Sequence, residues 1–470
     1  MRLAATTLLL IPLWSAADST RLSARTAQRP GGRPNVVLFV ADDLGVTDTG
    51  PYGSKDVRTP NLDRLAAQAV RFDRAFAGSP TCVPSRAVLY TGLMPFRNGA
   101  HPNHSQCREG VKSLAHYFQQ LGYATAQAGK RHFNPASVFP FEIIKGSEVP
   151  EPGFESQPAL RVDLNTAPVD QWLASAGKGK PFFLIVADHS PHVVWPDKAE
   201  YQPEDVEIPP NHVDTPETRA ARARYYTDIT KMDRNVGQVL ASLGKNGLAE
   251  NTIFIFTSDQ GAQWPFAKWT VYDAGIRVPL LIRWPGAIKP GRVTGALVSL
   301  ADLVPTLIEA AGGNTPEGLD GQSFLKVLRG QAQSHREYVF ATHTGDGQWN
   351  RNPARCIRTG RYKLVLNLAP EITYTTHMDL AKDHDGGREY WPSWEARAKT
   401  DRRAAAVVDR YRNHLPEEFY DLETDPSEIH NLIGDQKHAG TIADLRARLT
   451  AWRQQQGDDK TGPDPAPPAK

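Results

Sequence analysis

Hydrophobic positions along the chain follow two periodicities that alternate. Three short continuous apolar runs, Val36 to Val40, Phe182 to Val186 and Ile253 to Phe256, give way to polar residues: Asp42 and Asp43, Asp188 and His189, and Asp259. Unbroken apolar runs of this length read as strands covered on both faces, as in a parallel sheet. Helical patterns lie between them, from Pro60 to Val70, from Val111 to Leu121 and from Glu217 to Leu243. The alternation predicts an α/β fold built on a large mixed, mostly parallel sheet covered by helices on both faces. Ligands of such sheets bind outside the carboxyl ends of the strands, so the three polar clusters are expected to converge on one crevice.

The pattern changes near residue 335. Tyr338 to Phe340, Ala354 to Ile357, Tyr362 to Leu366 and Phe419 to Asp421 are short β-like segments, with Thr359-Gly360 as a hairpin turn. They predict a smaller C-terminal α+β subdomain with an antiparallel sheet. Ile442, Leu445, Leu449 and Trp452 repeat at helical spacing and predict a final amphipathic helix within 436–456. The expected division is a main domain over 34–335 and a C-terminal subdomain over 336–456. A flexible lead-in over 18–33 and a disordered tail over 457–470 complete it. Residues 1–17 carry one basic residue, Arg2, then an apolar stretch from Leu3 to Trp14, then the small residues Ser15, Ala16 and Ala17. That is the pattern of a secretory signal peptide, which places the mature chain in the periplasm or outside the cell. The apolar stretch is well short of the ~20 residues a membrane span needs, and no comparable run follows, so the mature chain is expected to have no span.

Composition narrows the class. A chain of 470 residues, 40% hydrophobic and 23% charged, can bury a large core, which excludes disorder, collagen and coiled coil. Lys plus Arg number 54 against 52 for Asp plus Glu, a net charge of +2 that carries no footprint for nucleic acid. Any charge that matters must be local. The three cysteines are Cys82, Cys107 and Cys356, an odd number for an oxidising compartment.

The most informative string is C-V-P-S-R at 82–86, a loop entering a helix with Pro84 in its first turn. Cys82 would face the unpaired amides and the positive end of that helix, a place for an anion and for a deprotonated, reactive sulfur. Arg86 falls four residues on, on the same face. For a lone cysteine the ordinary reading is a buried structural thiol with an unrelated surface arginine.

C-V-P-S-R, followed by T-G-L at 91–93, resembles the signature of the type I sulfatases, members of the alkaline phosphatase-like superfamily. The same order of motifs continues in R-P-N-V-V-L-F-V-A-D-D (33–43), T-P-N-L-D-R-L (59–65), G-K-R-H (129–132), H-S-P-H (189–192) and T-S-D-Q-G (257–261). The stretch A-K-W-T-V-Y-D-A-G-I-R-V-P (267–279) and the closing motif Y-D-L-E-T-D-P-S-E-I-H-N-L (420–432) complete it. The resemblance implies that a maturation enzyme oxidises Cys82 to formylglycine (3-oxoalanine). Hydrated, this residue presents two hydroxyls, one to attack sulfur and one to expel sulfate by collapse to the aldehyde.

It further implies a Ca²⁺ held by Asp42, Asp43, Asp259, Gln260 and residue 82, a hard oxygen set suited to that ion. The family usually has Asn where Gln260 stands. Arg86, Lys130 and Lys268 match the sulfate-binding cations, His132 lies beside the formylglycine hydroxyl, and His189 matches a proton donor to the leaving oxygen or nitrogen. These groups would make a strongly positive pocket in a near-neutral protein. If Cys82 is consumed, Cys107 and Cys356 remain as a possible disulfide.

Within the family, G-K-R-H-F-N-P-A-S-V-F-P-F-E (129–142), H-S-P-H and R-Y-K-L-V-L-N-L (361–368) look nearest to the heparan N-sulfatase (sulfamidase) branch. The 267–279 stretch instead resembles bacterial polysaccharide O-sulfatases. His192 and a polar loop at 342–351, with His343, Asp346, Trp349 and Arg351, are the expected contacts to a sulfated saccharide. A zinc phosphatase or phosphodiesterase of the same superfamily would need a Ser or Thr nucleophile and more Asp and His ligands. A non-catalytic sulfated-glycan binder would follow if Cys82 were never oxidised.

Overall fold

The structure is a computed structural model that describes residues 32–150, 161–176, 179–381, 389–459 and 462. The expectations for the signal peptide, nearly all of the lead-in and most of the tail lie outside the described residues. The start of the tail is an exception. Asp458 is buried, with its carboxylate 2.6 Å from Arg355 Nε and 2.9 Å from Arg453 Nε, so order extends past Gly457.

In chain order the strands are β1 (Asn35–Ala41), β2 (Val70–Phe76), β3 (Ala124–Gly129) and β4 (Glu142–Ile143), then a hairpin of β5 (Glu148–Pro150) and β6 (Val162–Leu164). They continue with β7 (Phe182–Ala187), β8 (Thr252–Ser258), β9 (Arg277–Arg283), β10 (Arg292–Thr294) and β11 (Val298–Ser299). The main sheet runs β10-β2-β9-β8-β1-β7-β3-β4, with β11 also on β2. Only β9 runs against its neighbours β2 and β8, so the sheet is mixed and mostly parallel. Every residue of β1, β7 and β8 is buried, which is why these strands read as unbroken apolar runs.

Helices cover both faces. One face packs against the helices Pro60–Gln68, Ala167–Ala176 and Pro216–Lys245, through residues such as Leu62, Leu173, Ile229 and Val236. The other packs against Cys82–Thr91, Leu114–Gln120 and Leu303–Ala310, through Ala87, Leu89, Phe118 and Leu307. The C-terminal sheet is β12 (Tyr338–His343), β13 (Ala354–Thr359), β14 (Tyr362–Asn367) and β15 (Glu417–Asp421), antiparallel throughout. Ile442, Leu445, Leu449 and Trp452 of the final helix, Ala439–Gln456, bury against it beside Ile357, Leu364 and Phe419.

Two expectations are corrected. Val70, expected at the end of a helix, opens β2, since the helix stops at Gln68. Cys107 and Cys356 do not pair. Cys107 is buried under one face of the main sheet, whereas Cys356 is buried on β13, paired with Ala341 and Val365. Burial pushes both thiols up to about 12.

Candidate active site

Four neighbouring parallel strands, β8, β1, β7 and β3, end level, because Val40 pairs with Ala187, Ala41 with Ser258 and Gly129 with Ala187. The ladder then continues into polar residues. Asp188 N donates to Val40 O at 2.9 Å, Asp259 N to Ala41 O at 3.2 Å, and Lys130 N to Ala187 O at 2.9 Å. The side chains of Asp42, Asp43, Asp259 and Lys130 are thereby brought to one edge by strand register alone. Gly129 permits this at β3: its φ is +74°, and a Cβ would lie 2.0 Å from Ala187 O. At the end of β8, a Cβ on Gly261 would lie 1.8 Å from Ala274 O, so the chain turns there only with glycine.

Cys82 opens the helix Cys82–Thr91, with Thr81 as its N-cap, and is buried together with Asp42, Asp43, Arg86, Asp259 and Gln260. Its Sγ lies 3.8 Å from Asp42 Oδ1 and 4.0 Å from Asp43 Oδ1, and accepts from Gln260 Nε2 at 3.3 Å. Arg86, on the same helix face, places Nε 2.9 Å from Asp259 and Nη2 3.3 Å from Asp42. Lys268 Nζ lies 2.6 Å from Asp43, Lys130 pairs with Asp42, and His192 Nε2 stands 3.6 Å from Asp43. Arg86, Lys130, Lys268 and His192 thus all touch one cluster of three carboxylates.

The electrostatics correct one expectation. The Cys82 thiol is not poised for ionisation; burial pushes it up to about 12, Lys268 and Lys130 pull against this, and Asp42 and Asp43 add to it. Among the carboxylates, burial opposes ionisation of Asp42, yet Lys130, His192, Arg86 and Lys268 hold it well below the usual range. Asp43 is raised by burial despite Lys268. Asp259 is pushed up to about 8 by burial, against Arg86 and with the charges of Asp42 and Asp43 adding. Three buried carboxylates thus face three cations, Arg86, Lys130 and Lys268, and burial makes two of the carboxylates, Asp43 and Asp259, harder to ionise.

The donor set fits a hard divalent cation. Carboxylate oxygens of Asp42 and Asp259 and the sulfur of Cys82 lie within 4.8 Å of one another, as do the ligand atoms of Asp43, Cys82 and His192. Gln260 Oε1 is buried without a partner while its Nε2 faces Asp43 and Cys82. Turning the amide over would present that oxygen to the carboxylates, completing an oxygen-rich cage.

A cavity of about 230 Å³ opens beside this cluster, lined by Lys130, His132, His189, His192, Arg161 and Asp228 among others. His132 lies half-buried at its edge, its Nε2 3.4 Å from His104 Nδ1, and burial with Lys130 and Arg86 pushes its pKa down to about 2. His189 Nε2 lies 2.7 Å from Glu148 Oε1 of the β5–β6 hairpin, and Arg161 pairs with Asp228 at 2.9 Å. Burial with Lys268 and Lys130 holds His192 well below its usual range.

The 342–351 loop stands apart from the cavity lining. His343 is buried, with Nε2 2.8 Å from Asn350 Oδ1, and Trp349 stacks on His377 at 4.5 Å. Arg351 is half-buried. Asp346 is 2% exposed and accepts from Asn103 and Trp269, so it meets protein donors rather than the cavity. Sequence reading missed Glu148, Arg161, Asp228, Asn103, His104 and Trp269. Each is a single polar or aromatic residue, Asp228 in the helix Pro216–Lys245 and the others in loops or a hairpin, whose partner lies far along the chain.

The family profile described as Sulfatase matches residues 34–313, and one described as N-sulphoglucosamine sulphohydrolase, C-terminal, matches residues 261–390. The chain is 32% identical to an ulvan-active sulfatase of Formosa agariphila, over 91% of this chain and 81% of that one. It is 29% identical to human N-sulphoglucosamine sulphohydrolase, over 90% of each. A solved structure holding its substrate D-glucosamine-2-N,6-O-disulfate superposes with a TM-score of 0.67 at 20% identity, over 91% of this chain and 99% of that one.

Proposed function

Because the chain belongs to the sulfatase family, whose members hydrolyse sulfate esters, we propose that it desulfates a sulfated glycan, with an N-sulfoglucosamine unit of heparan type as the favoured target. The observation that carries this reading is the packing of Cys82 against three buried carboxylates, with Arg86, Lys130 and Lys268 around them and a sugar-sized cavity alongside. The match of residues 261–390 and the likeness to the human N-sulfohydrolase favour the N-sulfated sugar. The likeness to the ulvan-active enzyme favours a second reading, an O-sulfatase on another polysaccharide.

In this reading a formylglycine-generating enzyme converts Cys82, and the hydrated residue supplies the hydroxyl that attacks sulfur. Asp42, Asp43, Asp259 and Gln260 would hold Ca²⁺ together with residue 82, and the ion would favour the ionised hydroxyl and polarise the sulfate oxygens. Arg86 keeps residue 82 and Asp259 in register. Lys130 and Lys268, which pair with Asp42 and Asp43, would supply positive charge to the sulfate oxygens. His132 orients the attacking hydroxyl from the cavity edge. His189, anchored by Glu148, delivers a proton to the leaving oxygen or nitrogen, and His192 borders the sugar.

Residues 1–17 would direct the chain to the periplasm or beyond. No helix among the described residues is long and apolar enough to cross a membrane.

Mass spectrometry of the peptide containing residue 82, from protein matured in its native host, is expected to show the aldehyde in place of the thiol. An unmodified cysteine overturns the catalytic reading. Desulfation assays on N-sulfated glucosamine, 6-O-sulfated glucosamine and sulfated galactose or rhamnose then identify the target. Turnover of O-sulfates alone overturns the N-sulfate preference.

A further inference from the structure

Asp346, read from sequence as a sugar contact, is instead a buried carboxylate at the centre of a hydrogen-bond hub with two buried arms, Asn103 and Trp269, and one solvent-exposed arm, His104. Its Oδ2 accepts from Asn103 Nδ2 at 3.0 Å and from Trp269 Nε1 at 2.7 Å, and its Oδ1 lies 3.3 Å from His104 Nε2. Each donor leads to a different part of the candidate site. Asn103 Oδ1 accepts from Val83 N at 3.3 Å, in the first turn of the helix that Cys82 opens, where Thr81 provides no side-chain cap. Asn103 is therefore the external cap of that helix, meeting an amide that has no partner inside it. Trp269 follows Lys268 in the chain. His104 Nδ1 lies 3.4 Å from His132 Nε2.

The backbone reports the same linkage. His104, His132 and Trp269 have φ of 59°, 45° and 68°, in the left-handed region that non-glycine residues rarely occupy. Such conformations persist only where the surroundings over-determine them. Here two of the three are bound directly by one carboxylate, and the third through His104. The carboxylate is itself fixed, since Asp346 N donates to Asn350 O at 2.8 Å and Asn103 N donates to Gly345 O at 3.0 Å. A carboxylate is suited to the task because it only accepts, and its two oxygens offer enough lone pairs for three donors.

We propose that Asp346 is a positioning residue that sets, through one buried carboxylate, the relative placement of the segments carrying Cys82, His132 and Lys268. It acts through Asn103, His104 and Trp269 and touches no substrate. The proposal rests on the sulfatase reading for its kinetic consequence but not for its structural one. The C-terminal region would thus contribute alignment to a site whose reactive groups all come from the part of the chain that precedes it.

Asp346→Asn is the test, because it preserves size while replacing one acceptor by a donor that opposes an indole N–H or an imidazole. With 4-nitrophenyl sulfate, which needs only the sulfate pocket, kcat per formylglycine-bearing site is expected to fall about 10- to 100-fold with KM nearly unchanged, the scale of a small misplacement of reacting groups. A merely structural residue would lower the melting temperature and the converted fraction but leave kcat per converted site intact. Combining Asp346→Asn with His104→Ala is expected to cost less than the product of the two single losses. A twofold or smaller change in kcat per converted site, or losses that multiply, overturns the proposal. Should Asp346→Asn fail to fold, Trp269→Phe removes one donor and keeps the ring, and an unchanged kcat there overturns it equally. A crystal structure of the variant gives an answer that needs no turnover: His104 and Trp269 are expected to leave the left-handed region, and unchanged φ at both refutes the hub. If the wild-type protein turns over no sulfate ester at all, the sulfatase reading falls while this structural outcome still decides the role of Asp346.

Discussion

The carboxyl edge of the main sheet and the region beneath the C-terminal sheet both bury clusters of charge, and they do so for different ends. At the sheet edge, Asp42, Asp43 and Asp259 face Arg86, Lys130 and Lys268 beside a cavity, and Gln260 Oε1 and Arg86 Nη1 are left without hydrogen-bond partners. Beneath the C-terminal sheet, Lys363, fully buried on β14, lies 2.6 Å from Asp273 and 2.8 Å from Glu428, and Arg358 on β13 lies 3.1 Å from Asp273. There each carboxylate meets a cation of the protein, and together they anchor the segment that follows Lys268. The first cluster lies next to open space, with an amide oxygen unmet among its carboxylates; the second has no such cavity beside it among the described residues, although Arg358 Nε there also lacks a hydrogen-bond partner. Charge burial alone therefore does not mark a site, and unmet capacity beside a cavity does.

Substitutions can break this contrast, beginning with the largest effect. Cys82→Ala is expected to lower hydrolysis of any sulfate ester by at least about 1000-fold while leaving thermal unfolding nearly unchanged, since it removes the nucleophile and only a small buried side chain. Retained turnover would show that the sheet edge is not the reactive cluster. Lys363→Met is expected to do the opposite. It leaves Glu428 buried without its cation and Asp273 with Arg358 alone, and costs about 3 to 5 kcal/mol in urea unfolding. An unchanged unfolding midpoint would show that the second cluster does not hold the fold. Lys268→Met is expected to reduce kcat about 100- to 1000-fold, as loss of one charge-stabilising donor does, with unfolding affected far less than by Lys363→Met. The mildest intervention sharpens the contrast most. Ca²⁺ added after exhaustive chelation is expected to stabilise the wild type by about 2.7 kcal/mol at 100 times its Kd. Asp259→Ala should lose most of this gain and Lys363→Met should keep it, because the candidate ion ligands gather at the sheet edge.

The strands that place the reactive groups were legible because nothing but local pattern was needed. Val36 to Val40, Phe182 to Val186 and Ile253 to Phe256 are apolar on both faces, and the residues that follow them must emerge where the sheet ends. Their convergence followed from parallel pairing, as the register of Val40 with Ala187 and Ala41 with Ser258 bears out. Less legible was β9, whose antiparallel insertion between β2 and β8 leaves no mark on its apolar run. Cys107 and Cys356 show the limit of counting: two cysteines were left over, but they are buried in different clusters. The ionisation of Cys82 was misjudged for a related reason. A helix N-terminus is visible in sequence, whereas burial in the folded chain and the two aspartates at the end of β1, which push the thiol up, are tertiary.

By itself the sequence determined the α/β class, the five-residue string around Cys82 and the acidic and basic residues placed at strand ends, because hydrophobic period and strand termini are local properties of the chain. Tertiary structure alone decided which groups are spent on one another and which remain available. Glu148 reaching His189, Lys363 joining Asp273 to Glu428, and Asp346 gathering Asn103, His104 and Trp269 are partnerships across long stretches of chain. No period or spacing encodes them, since a hydrogen bond is specified by the position of two atoms in space and a sequence pattern specifies only which face of an element a residue occupies.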